Sequence, residues 1–85
     1  MTNDQIADLY HRIAKVTTRF TFVLPVSLDE VEHVANEVRR GLEGFNGVPL
    51  EVAWGFEAKT GYPFVGVRQP GHAALYYRPF LPVKR

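Results

Sequence analysis

A chain of 85 residues with a net charge of +1 has room for one small folded unit, and it lacks the basic field that drives non-specific binding to duplex DNA. It contains no cysteine, which excludes disulfides and thiolate metal sites. The opening MTNDQIADLY has neither a basic leader nor an unbroken apolar run, and the longest apolar stretch, around Phe22 to Val26, is far too short to span a bilayer. A cytoplasmic protein without membrane attachment is the expectation.

Asn3 is placed to cap a first helix, with Asp4 in its first turn, where a negative charge suits the helix dipole. Ile6, Leu9, Tyr10, Ile13 and Val16 recur at helical spacing, while Asp4, Asp8, His11 and Lys15 fall on the opposite side. TRFTFVLP then alternates Thr18, Phe20, Phe22 and Leu24 with Arg19, Thr21 and Val23, the period of a strand with one buried face, ended by Pro25. In VSLDEV, Ser27 and Glu30 have capping-box spacing, and Val26 and Val31 occupy the hydrophobic-staple positions. The helix that follows offers Leu28, Val31, Val34, Ala35, Val38 and Leu42 for burial. Arg39 and Arg40 suit its C-terminal end, and Gly41 or Gly44 can stop it.

Three further strands follow. LEVAWGFE alternates Leu50, Val52, Trp54 and Phe56 with Glu51, Ala53, Gly55 and Glu57; AKTG is a turn; YPFVGVR is the return arm. In QPGH, Pro70 and Gly71 suit the centre of a type II turn, and AALYYRPFL is the last strand, with Pro79 marking an edge or an end. The expected fold is a single α+β domain over 1–85, in the order α-β-α-β-β-β. It has a four-stranded mixed sheet ending in an antiparallel meander, two helices packed on one face, and residues 79–85 as an extended C-terminal arm.

Two helices of ~10 Å diameter cover about the width of four strands at ~4.8 Å spacing, which leaves the second sheet face open. If Trp54, Val65, Val67, Leu75 and Tyr77 point to the helices, alternation puts Phe64, Arg68, Tyr76, Arg78, Arg19 and Phe80 on the open face. Tyr62 stands at the start of its middle arm. Aromatics and arginines together are the composition of recognition surfaces. Two alternatives stand beside this reading: the first helix crosses over and covers the face, or two copies stack their open faces as a homodimer.

No catalytic set emerges. Asp8 and His11, and Glu30 and His33, have the spacing of di-metal carboxylate helices, but the helical wheel turns both pairs to solvent; no metal and no cofactor are expected. Ser27, the single serine, is accounted for as a helix cap, and Glu51 and Glu57 lie roughly 20 Å apart, beyond glycosidase carboxylate spacing. KTGYPFVGV invites comparison with the central strand of RNA-recognition domains. Pro63 stands where a small residue is needed, Val67 where an aromatic is needed, and QPGH where that fold has a whole helix, so the chain is not assigned to that family. The expected function is a small non-enzymatic protein-binding module, an accessory regulator or inhibitor of the phage or mobile-element type. It would bind a protein partner or itself through the uncovered face, with single-stranded nucleic acid as the alternative ligand.

Overall fold

The computed structural model describes residues 1–84. Helix α1 spans Asn3–Thr17 and helix α2 Leu28–Gly41; strands β1 (Glu51–Phe56), β2 (Pro63–Arg68) and β3 (Ala74–Pro79) form an antiparallel meander with β2 in the centre. The class is α+β, as the periodicities imply, but the sheet has three strands and the order is α-α-β-β-β.

The expected first strand is where the fold departs. Thr18 caps the end of α1 in helical geometry, and the chain from Phe20 to Leu24 runs extended without entering the sheet. Its alternation is real: Phe22 is buried while Thr21 and Val23 are exposed. Its ladder is missing. The single bridge is a parallel one, Val23 to Val83, made by Leu24 N–H to the Val83 carbonyl (3.0 Å) and Val83 N–H to the Phe22 carbonyl (2.8 Å). Among the described residues the pairing consists of these two bonds and goes no further.

That bridge also decides the fate of the C-terminal arm. Phe80 is buried, meets Phe22 edge-to-face at 5.1 Å between centroids, and donates its N–H to the Pro63 carbonyl at 2.8 Å. The segment from Phe80 to Val83 therefore closes the fold rather than reaching out of it; the final residue of the expected arm, Arg85, lies outside the described residues.

Among the local signals elsewhere, the first cap shifts by one residue and Leu28, expected to be buried by α2, is 55% exposed at the start of that helix. The cap of α1 is Thr2, one residue earlier than Asn3: its side chain accepts from the Gln5 amide, and the Gln5 side chain accepts from the Thr2 amide. Ser27 caps α2 through the Glu30 amide. The β1–β2 turn closes through Gly61 N–H to the Glu57 carbonyl (2.7 Å), with Gly61 at φ +75°. The β2–β3 connection contains the expected turn, His72 N–H to the Gln69 carbonyl, with Gly71 at φ +79°. Both glycines occupy backbone space that side-chain-bearing residues rarely adopt.

The core lies between the sheet and the helices. Val31, Val34, Ala35 and Val38 of α2 bury against β1 and β2, whose Val65 and Val67 are fully enclosed, and Leu9, Ile13 and Val16 of α1 pack on α2. Pro63 is tolerated in the central strand because it is the first residue of that strand.

Phe80→Ala is expected to destabilise the chain by about 3 kcal/mol in urea unfolding, the usual cost of removing a buried phenylalanine. Phe22→Ala should cost a similar amount, and the double variant less than the sum, because both lose one shared contact. A full additive loss would show that the arm does not hold the Phe22 segment.

Candidate functional site on the open sheet face

Cross-strand pairing fixes which residues share a face. Trp54 pairs with Val65 and Val52 with Val67, all toward the helices; Gly55 pairs with Phe64, Ala53 with Gly66 and Glu51 with Arg68, all away from them. Phe64 and Arg68 therefore lie on the open face, as alternation in the sequence placed them.

Strand β3 inverts the expectation. A bulge opposite Val67 and Arg68 shifts the phase after Leu75: Leu75 and Tyr76 both pack on the core, and from there Tyr77 pairs with Gly66 on the open face. An extra residue in a strand reverses the alternation of everything beyond it. Tyr76 consequently packs on Tyr10 of α1 (6.0 Å between centroids). Arg78 donates to Thr17 Oγ1 at 3.1 Å and lies 4.9 Å from the Phe80 ring, so neither belongs to the open face. Phe80 is core. Arg19 belongs to the helix layer, its guanidinium over Phe20, and Tyr62 sits in the β1–β2 hairpin, its N–H donated to Thr60 Oγ1.

What the open face carries is a ring pair on a bed of small residues. Phe64 and Tyr77 stand 5.3 Å apart between centroids. Phe64 lies over Gly55, where an added Cβ would meet the ring at 3.4 Å, and Tyr77 lies beside Gly66. Ala53 completes the flat floor, and Pro79 borders it on β3. The Arg68 guanidinium, the arginine of this face among the described residues, pairs with Glu51 at 2.9 Å. Tyr77 is the member of the face that sequence alternation missed, whereas Glu51 and Glu57 lie on the side that alternation in β1 gives them. No residue pattern marks the bulge that turns Tyr77 outward.

Glu57 holds the face at its hairpin end. It accepts hydrogen bonds from the Thr60 hydroxyl (2.6 Å) and the Tyr77 hydroxyl. Donation from Thr60, and then from Tyr77, lowers the carboxyl below the ordinary glutamate range, and the same bond raises the Tyr77 phenol above its ordinary value. The lowered carboxyl contributes stability above its unfolded value that is lost as pH falls through the folded one. The raised phenol contributes stability below its unfolded value that is lost as pH rises through the folded one. The tie is therefore intact from roughly pH 5 to pH 9.

Neither histidine–carboxylate pair gathers a ligand set: among the described residues no cluster of three or more His, Asp or Glu side chains is positioned to hold a metal. Asp8 is held by Arg12 at 2.9 Å, and His33 stacks edge-on against Phe20. Among the described residues no helix is long and apolar enough to cross a membrane. Comparison with protein-family models, curated proteins and solved structures finds no match to this chain.

In Tyr77→Phe, the Glu57 carboxyl should titrate closer to the ordinary glutamate range, read from its side-chain carbon shift by NMR. An unmoved titration would mean that Tyr77 does not hold Glu57.

Proposed function

We propose that the chain is a small non-enzymatic binding module that takes a protein partner on the open sheet face, around Phe64 and Tyr77. The observation that carries this reading is the ring pair itself: two aromatic side chains lie on a floor of Gly55, Gly66 and Ala53, on the side of the sheet opposite both helices. Tyr77 is 49% exposed although it is large and partly apolar. Aromatic residues on a flat, rigid surface supply contact area at low entropic cost, and they anchor protein interfaces. An accessory regulator or inhibitor is the role such a module suits, since its chemistry consists of a surface.

Single-stranded nucleic acid is the weaker reading. Base stacking needs cations beside the rings. Arg78 is turned into the helix layer, Arg19 lies outside the sheet, Arg68 is paired with Glu51, and Glu57 adds a negative charge at Tyr77.

The double variant Phe64→Arg, Tyr77→Asp tests the protein reading. It should keep the wild-type circular dichroism while losing at least tenfold of the affinity for the protein that wild type captures stoichiometrically from its native cell extract. Equal capture by both would contradict the proposal. Quenching of tyrosine fluorescence by a single-stranded oligonucleotide at low salt, fading as salt rises, would transfer the face to the rival ligand.

A further inference from the structure

The two edges of the sheet are treated differently. Hydrogen-bond parity shows how. Glu57 N–H donates to the Tyr62 carbonyl, so in the β1–β2 ladder the odd-numbered residues of β1 face β2, and Val52, Trp54 and Phe56 direct their N–H and C=O groups outward. Phe80 N–H donates to the Pro63 carbonyl, so in β3 beyond the bulge the outward groups belong to Tyr77 and Pro79.

The β3 edge is blunted. The Leu75 carbonyl accepts the Tyr10 hydroxyl at 2.7 Å, Pro79 has no N–H to offer, and the strand carries the bulge. The β1 edge has none of these devices. It contains no proline and no lysine, and no described residue hydrogen-bonds the outward groups of Val52, Trp54 or Phe56.

The surroundings of β1 are self-complementary. The C-terminal end of α2 overhangs it, with the Arg39 guanidinium 4.8 Å from the Trp54 ring, and a groove of about 620 Å³ lies at the Glu51 end, its apolar wall of Leu42, Phe45, Leu50 and Val52 rimmed by the charged side chains of Arg39, Glu51 and Arg68. Phe56, at the other end of the strand, is 40% exposed. One end of β1 thus offers an apolar ring and the other a groove with one apolar wall, with Trp54 midway.

We infer that the β1 edge is a homodimer interface, in which β1 pairs antiparallel with β1 of a second copy about a two-fold axis through Trp54. This register joins Trp54 to Trp54 and Val52 to Phe56 in both directions, three pairs that each exchange two N–H···O bonds. It carries each Phe56 beside Val52 of the other copy, at the mouth of the groove under the overhanging α2. Ring meets groove twice, as an isologous contact requires, and the two meanders become one six-stranded sheet. On the opposite face the small pair Ala53 and Gly55 meets without obstruction. The register also sets Glu51 opposite Glu57 of the second copy, a like pair moderated by Arg68, which already holds Glu51. The edge is separate from the Phe64–Tyr77 face, so either surface can fail without the other.

Sedimentation velocity of the full chain, combined with amide hydrogen exchange by NMR, tests this. Wild type should reach twice the 9.7 kDa chain mass. Phe56→Lys, a change at an exposed site, should weaken dimerisation roughly 10- to 100-fold, the loss of one buried ring per copy. The open-face double variant should dimerise as wild type does. Amides of Val52, Trp54 and Phe56 should become protected as concentration rises. Three results would each overturn the inference: a wild type that stays monomeric at about 1 mM, a dimer that leaves these three amides unprotected, or natively folded Phe56→Lys with unchanged affinity.

Discussion

The rest of this structure depends on the burial of Val65 and Val67 beneath α2. These two residues of the central strand are fully enclosed, and each contributes about 2 kcal/mol by leaving water. Their enclosure commits one face of the meander to the helices. A chain this short has two helices to spend on coverage, and both are used on the same side, with α1 packed on α2. The uncovered face and the unsatisfied edge of β1 are consequences of that single commitment.

Much of this was legible in the residues. Both helices follow from their stripes, and α2 from Ser27 in particular, because capping and amphipathicity are local properties. The three strands of the meander follow from alternation, and their turns from Gly61 and Pro70–Gly71. The position of Phe64 and Arg68 also follows, since nothing interrupts β2 between Pro63 and Arg68.

What alternation could not convey is pairing. Phe20 and Phe22 alternate as a strand does, yet alternation reports only that one side is buried. Whether a ladder forms depends on which partner arrives, and the partner here is a tail that meets the segment at a single bridge. The inversion of Tyr76 and Tyr77 has the same origin: a bulge is a property of two strands in register, not of one sequence window. Phe80, read as surface, is core because the tail folds back over Phe22. The free edge of β1 lies a step further from the sequence, since it rests on the direction of backbone amides, which side-chain patterns do not encode.

The central claim is that both helices share one face and leave the other uncovered, with half-buried Phe64 and exposed Tyr77 on it. NMR relaxation by a soluble paramagnetic probe, on a dilute sample, tests it most directly. The account predicts strong relaxation of the Phe64 and Tyr77 rings and protection of the Val65 and Val67 methyl groups. Comparable protection of the two rings and the two valines would contradict it, because something in the chain would then cover that face.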